Sequence, residues 1–477
     1  MSTREKVVFR LIYLFIAAFG SYLIMKDANW CFGDDCEFLQ TTAIGKIEPM
    51  AYHMGCGRFV PLQHYDYNLL TLFSFGKSAW AHYSLVAISF MLITYFWAKI
   101  CLLIYRRNID SNKTGLLFSV LCFLSFLCSK PVVEVFLEVI FPERLVLLML
   151  SAFIYLYLST SNEKEWYKYF LAFCIVIYTS YVKEPVSGAF CSFALISLAF
   201  SYKNISRQKI IFFIAIILNF VIYLTLYYFL VFKTSTHFYN EGRCSLSYVS
   251  NIINIFNHNK ILIAVFVLGI IRGIKILRSN DLKHLDFDSL LFMSISYTCA
   301  YFVLKLNESY YFTPSTFIGY IVIFYWISFY FHKNRVYSVV LSLICFCFII
   351  FNCNGVLNKY KLINENRRTF IPTISKILEQ YGKSLKIYGK DSGDFNGVIL
   401  HWQKAVLNVV VNYLSKTEDK DYVSIIDNMD KLTSMNAIII SNQNISQDEK
   451  KLINDHFIHN NIIKVLHAGG LDFYLRR

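Results

Sequence analysis

The chain has 477 residues, of which 56% are hydrophobic, 18% aromatic and only 16% charged, and its formal net charge is +14. A soluble domain averages roughly 25% charged residues, so this composition excludes an ordinary soluble globular protein. The deficit lies in apolar runs of about 17 to 24 residues, each long enough to cross a ~30 Å hydrocarbon layer as a helix, and about eleven such runs are predicted.

In chain order the predicted spans cover residues 7–25, 82–104, 115–129, 144–160, 167–182, 187–201, 210–232, 261–277, 289–304, 315–331 and 336–352. No small-x-small cleavage site follows Val7–Met25, so it reads as a first span and not as a cleaved signal. With the N-terminus inside, Lys and Arg collect in every second loop: Arg106, Arg107 and Lys113; Lys164 and Lys168; Lys203, Arg207 and Lys209; Arg272, Lys275, Arg278 and Lys283; Lys333 and Arg335. That is the cytoplasmic pattern. The positive charge is thus topological and directed at anionic lipid, with no nucleic acid expected as a partner. All seven prolines are placed on the other side, where irregular backbone can line water or protein.

The outer face opens with a long loop, residues 26–81, that carries Trp30-Cys31-Phe32-Gly33-Asp34-Asp35-Cys36-Glu37. Carboxylates beside a bilayer are costly unless water, a cation or a substrate meets them. Asp34 as N-cap and Glu37 at N3 could simply start a helix. Alternatively, one Asp is a general base whose proton affinity is raised by the low dielectric and by its neighbour. Gly57-Arg58-Phe59 follows, with Arg58 either an interfacial residue or a fork for a phosphate. In the second outer loop Glu134 and Glu138 share a face if helical. Glu138 reads as a solvated loop charge, and Glu143-Arg144 heads the next span with Arg144 able to face the site. Lys183-Glu184-Pro185 joins two spans with almost no loop, which presses both charges against the membrane surface as an ion pair or a phosphate contact. Lys305, Glu308, Tyr310 and Tyr311 form a similar cluster, in which the two Tyr read equally well as aromatic-belt residues.

Of the 13 cysteines, those inside spans read as small core residues. Cys31, Cys36 and Cys56 share the first outer loop, where an oxidising compartment could join two of them. Neither His53 nor His64 completes a zinc pattern. From about Asn354 the apolar runs shorten to strand length at Leu385–Tyr388, Tyr422–Ile426, Ala437–Ile440 and Ile462–Leu466. Helical patterns at Val398–Leu414 and Gln447–His456 alternate with them, the second opened by a capping box at Ser446–Glu449. The expected organisation is a transmembrane domain over 1–353 and a small soluble α/β domain over 354–477 on the outer side.

A first span followed by an acidic outer loop, many further spans and a soluble outer C-terminal domain resembles the GT-C superfamily of membrane glycosyltransferases. Gly33-Asp34-Asp35, followed by Gly57-Arg58-Phe59 and the Lys183-Glu184-Pro185 turn, resembles the bacterial serotype-converting O-antigen glucosyltransferases within it. The resemblance implies transfer of a sugar, usually glucose, from a polyprenyl-phosphate carrier to a hydroxyl of a surface polysaccharide, at the periplasmic face of the bacterial inner membrane. It implies Asp34, Asp35 and Glu37 as catalytic residues and Arg58, Arg144 and Lys183 as ligands of the donor phosphate. Glu143, Glu184, Glu308, Tyr310 and Tyr311 would line the substrates. No cofactor is implied, although Asp34, Asp35 and Glu37 together could hold a divalent cation. Two rivals share the compartment. A flippase or transporter of lipid-linked sugars would place charges or broken helices at mid-membrane, whereas these spans are nearly uncharged. A polymerase or ligase would carry its large outer loop in the second half of the chain.

Overall fold

In the computed structural model the described residues are 3–48, 51–53, 57–73, 75–107, 114–160, 165–201, 205–235, 248–279, 281–331, 335–382, 384–389, 395–417, 420–426, 437–441, 451, 453, 462–468 and 471–476. The first helix, α1 (Thr3–Met25), leads into a long loop containing a short 3-10 turn at Asp34–Leu39, a hairpin of β1 (Ala51–His53) and β2 (Arg58–Val60), and α2 (Asn68–Leu72). The apolar runs then form α3 (Ala79–Arg107), α4 (Thr114–Leu127), α5 (Lys130–Leu137), α6 (Glu143–Ser159), α7 (Trp166–Ser180), α8 (Glu184–Ser201) and α9 (Arg207–Tyr227). They continue with α10 (Tyr248–His258), α11 (Ile261–Ser279), α12 (Leu285–Leu304), α13 (Thr313–Phe331) and α14 (Arg335–Tyr381). Every predicted span overlaps one of these helices.

This is a multi-pass membrane protein. Leu11, Leu14, Phe15 and Phe19 on α1 and Ile211, Leu218, Val221 and Ile222 on α9 point outward, exposed rows that only lipid can cover. Among the described residues seven helices are long and apolar enough to cross a membrane, or eight if the pair bent by 67° at α4 and α5 is one span. The difference from eleven has a physical origin. Helices α4, α6 and α7 have 14, 17 and 15 residues, short of the roughly 20 that a perpendicular crossing needs. Helix α11 carries three cations, and one of them, Arg272, is not the loop charge that the basic-loop pattern makes it. It is buried against Asp288 of α12, with Nε–Oδ1 and Nη2–Oδ2 both 2.8 Å, and stacks on Trp326 at 4.2 Å.

Helix α14 runs unbroken through residue 354, with Pro372 inside it. Its 47 residues make it about 70 Å long, more than twice the hydrocarbon thickness, so its second half stands clear of the bilayer. A five-stranded sheet follows. β3 (Leu385–Tyr388), α15 (Phe395–Ser415), β4 (Val423–Ile426), β5 (Ala437–Ser441), β6 (Ile462–Ala468) and β7 (Leu471–Arg476) take the spatial order β4-β3-β5-β7-β6. β3 pairs parallel with β4 and β5, and β7 runs antiparallel between β5 and β6. The strands match the predicted α/β alternation; the capping box at Ser446–Glu449 lies outside the described residues. Helix α15 packs on the acidic 3-10 turn. The C-terminal domain therefore shares the side of the first loop, and the chain crosses the membrane an odd number of times.

Candidate active site

Gly33, at φ +125°, turns the chain into the 3-10 segment Asp34–Leu39, a backbone conformation that costs glycine least. Gly33 is itself the N-cap and no side chain caps the turn, so Asp34 is not the capping residue. With three residues per 3-10 turn, positions i and i+3 eclipse: Asp34 and Glu37 face solvent while Asp35, Cys36, Phe38 and Leu39 are buried. Cys31 and Cys36 are both free thiols, with the Cys36 Sγ donating to the Cys31 carbonyl at 3.4 Å, so they form no disulfide. Cys56 lies outside the described residues.

Asp35 is only 2% exposed. Its Oδ1 accepts from the Ile140 amide at 3.0 Å and its Oδ2 from the Tyr83 hydroxyl at 3.3 Å. Tyr83 has a single proton and also faces the Leu137 carbonyl at 2.9 Å. The shorter contact takes most of that proton, so Oδ2 is left under-donated and well placed to be protonated. Arg367 of α14, fully buried, lies 3.9 Å over the Tyr83 ring and donates to the Ile24 carbonyl at 2.6 Å and to Asn364 at 2.9 Å. The upper half of α14 thereby clamps the end of α1 to the acid turn.

Residues 138–144, from the end of α5 into the first turn of α6, connect the acid turn to a row of cations. Glu138 ends α5 in extended conformation. Tyr67 donates to the Val139 carbonyl at 2.8 Å, the Ile140 amide holds Asp35, and Phe141 packs on Tyr310 at 4.3 Å. Glu143 pairs with Lys183 at 2.7 Å and Arg144 with Asp66 at 2.5 Å, while Arg144 also donates to Ser89 at 2.8 Å. Arg144 is four positions after Ile140, so the two clusters lie within about 14 Å along the chain. Arg58 completes the row, its Nε 2.9 Å from Glu184. The hairpin carrying it is tied down by Tyr223 and Tyr227 hydroxyls on the Phe59 and Gly57 carbonyls, at 3.0 and 3.1 Å. Lys183 also sits 4.7 Å over the Tyr311 ring. Each of the three expected cations thus has a carboxylate partner, but solvent reaches them unequally: the side chain of Arg58 is 18% exposed, against 3% for Arg144 and 4% for Lys183.

No protein-family profile and no curated protein matches the chain. Solved structures that resemble it include the following two. ArnT from Cupriavidus metallidurans, bound to undecaprenyl phosphate, aligns over 99% of this chain and 98% of its own with 12% identity and a TM-score of 0.50. The oligosaccharyltransferase of Archaeoglobus fulgidus, in complex with zinc and sulfate, aligns over 90% of this chain and 68% of its own with 10% identity and a TM-score of 0.42. The chain has the GT-C fold.

Within this GT-C fold the structure brings together most of the residues expected at the site. Asp34, Asp35 and Glu37 share the acid turn, and Arg58, Glu143, Arg144, Lys183, Glu184, Tyr310 and Tyr311 share the cationic wall. Glu308 is exposed at the start of the 3-10 turn Ser309–Phe312. Glu134 pairs with Lys359 of α14 at 2.6 Å. Glu138 is half-buried beside Asp35 and is not the solvated charge expected of it. Among the described residues no three His, Cys, Asp or Glu side chains are grouped to share a metal ion. Sequence reading overlooked Asp66, Tyr67, Tyr83, Arg367 and Trp402. A signal existed for one of them: Ile363, Phe370, Ile374 and Ile377 form a buried helical stripe, and Arg367 occupies the stripe position between the first two.

The carboxyl groups of the turn are held above their ordinary range. Burial pushes Asp35 up to about 7, against the pull of the Ile140 and Val139 amides, Arg367 and Tyr83. Burial, then Glu48 and Asp34 nearby, raises Glu37 to about 7; burial, then Asp35 and Glu134, raises Glu138 to about 8. Burial raises Asp34 as well, opposed by the Trp402 N–H. Asp34 and Glu37 face solvent, yet neighbouring protein atoms desolvate both carboxyls enough to raise them. Between the unfolded and folded pKa values the native state binds more protons than the unfolded chain, so stability falls as pH rises. For Asp35 that window runs from 3.8 to about 7. The detergent-solubilised protein is expected to lose thermal stability across it. Asp35→Asn, which keeps an acceptor for the Ile140 amide, should flatten the slope; a Tm profile identical to that of the parent would contradict this assignment.

Proposed function

We propose that the chain is a glycosyltransferase that moves a sugar, in the first instance glucose, from a polyprenyl-phosphate carrier to a hydroxyl of a surface polysaccharide such as O-antigen. The observation that carries this reading is a solvent-reached carboxylate, Asp34, in the first outer loop of a GT-C fold, coupled through residues 138–144 to a row of cations. That ArnT, which shares the fold, binds undecaprenyl phosphate supports a carrier of that class. The lipid tail of the carrier also accounts for an enzyme embedded in the membrane.

The chemistry follows from placement. The acceptor oxygen forms its bond to the anomeric carbon as the bond from that carbon to the phosphate oxygen breaks, its electron pair leaving with the phosphate. Asp34 takes the hydroxyl proton, a task suited to a carboxyl of raised proton affinity. Asp35, buried and fixed by backbone amides, holds the turn. Arg58, the accessible cation, exchanges Glu184 for the carrier phosphate and stabilises the charge it gains on leaving. Lys183 and Arg144, held by Glu143 and Asp66, keep the local potential positive behind it.

Mass spectrometry of surface polysaccharide from cells with and without the gene tests the reading. The expected result is a hexose added to the repeat only when the gene is present; identical repeats would overturn it. The same proposal places the acid turn and C-terminal domain in the periplasm after eleven crossings. Reporter fusions after Arg107 and Lys209 should then report cytoplasm and one after Arg477 should report periplasm. A cytoplasmic signal at Arg477 would contradict this topology.

A further inference from the structure

We infer that Trp402, together with Asp34 and Glu37, forms the subsite that seats the acceptor saccharide; this rests on the glycosyltransferase reading above. Trp402 stands on α15, in the domain outside the membrane, and its ring meets Phe32 edge-on at 5.7 Å. Phe32 is itself edge-on to Phe370 at 5.1 Å. Phe32 and Phe370 are buried, whereas Trp402 remains 38% exposed. The indole is thus fixed in orientation from one side and open on the other. It also abuts the acid turn, since a Cβ on Gly33 would lie 4.0 Å from the ring, and its N–H opposes the rise in the pKa of Asp34.

A rigid aromatic face beside two solvent-facing carboxylates suits a sugar ring. The apolar C–H face lies on the indole while hydroxyls reach the carboxylates, an aromatic lining with a few fixed polar groups. Position selects the acceptor over the donor. The donor is tethered in the bilayer and its phosphate belongs to the cationic wall. Trp402 belongs to the domain outside the membrane, where a polysaccharide arrives. A hydroxyl of a sugar resting there would be within reach of Asp34.

The test uses full-length protein in nanodiscs, with delipidated surface polysaccharide from the host cells as the acceptor probe. Trp402→Ala should raise the acceptor KM about tenfold, equivalent to roughly 1.4 kcal/mol of lost contact. The kcat and the affinity for polyprenyl phosphate should stay near those of the parent. Trp402→Phe, which keeps an aromatic face, should restore KM. The polysaccharide should alter the tryptophan emission of the parent but not that of Trp402→Phe. An unchanged acceptor KM in Trp402→Ala, or an equal loss of polyprenyl-phosphate binding, overturns the subsite. Full transfer by Asp34→Asn would instead bring down the catalytic reading, and the emission difference would then decide the subsite alone.

Discussion

Replacing Asp34 by Asn is expected to lower the rate of sugar transfer by roughly 10²–10⁴-fold, the loss associated with a positioned general base. The substitution keeps the volume and removes only charge and basicity. Because no side chain caps the 3-10 turn, Asp34→Asn should leave the turn and the amount of folded protein unchanged. Asp35→Asn makes the informative contrast. Asp35 is buried and bonded to the Ile140 amide, which an Asn side chain can still satisfy, so its effect on rate should be much smaller. The parent should also lose activity as pH falls, with a midpoint above the usual carboxylate range, because Asp34 must be ionised to accept a proton and burial raises its pKa. Normal transfer by Asp34→Asn at normal expression would remove Asp34 from the mechanism.

The second large effect belongs to the phosphate. Arg58→Ala should abolish most polyprenyl-phosphate binding and transfer, whereas Arg58→Lys should impair both only in part, since it keeps the charge and loses the planar fork. Exposure decides between the cations. Arg144 and Lys183 are nearly inaccessible in their ion pairs; removing Lys183 would strand Glu143 as an uncompensated buried charge, and removing Arg144 would leave the half-buried Asp66 without its cation. Those losses should therefore appear in stability and expression as well as in binding. Measured on purified variants in nanodiscs, Arg58→Ala should bind carrier poorly at near-parental Tm, and Lys183→Ala should lower Tm. If Arg58→Ala binds as tightly as the parent while Lys183→Ala does not, the phosphate site belongs to the Lys183-Glu184-Pro185 turn, and Arg58 serves to anchor the hairpin.

The helices of the bundle were legible because an apolar run of span length has few other solutions, and the acid turn because charge beside a bilayer stands out. The pairings were not. Arg58 finds Glu184 across 126 positions and Arg144 finds Asp66 across 78, and such partners depend on how helices pack, which local pattern does not encode. A helix running through the boundary expected near residue 354 was not legible, for a related reason. Polar residues reduce the hydropathy of α14 where it leaves the membrane, yet the helix continues to Tyr381, because its buried stripe has the first loop and α5 to pack against. The short helices α4, α6 and α7 satisfy the apolar pattern without the full length of a perpendicular crossing, which is why apolarity alone gives a larger number of spans than length and apolarity together.

In the proposed mechanism Asp34 drives sugar transfer from a polyprenyl-phosphate donor. Its most direct test supplies polyprenyl-phosphate-linked radiolabelled glucose to membranes that contain the host polysaccharide acceptor and either the parent or the Asp34→Asn protein. Label is expected in the polysaccharide with the parent, and label lower by at least about 10²-fold with Asp34→Asn at equal protein. Equal incorporation by both, or none with the parent, would contradict it.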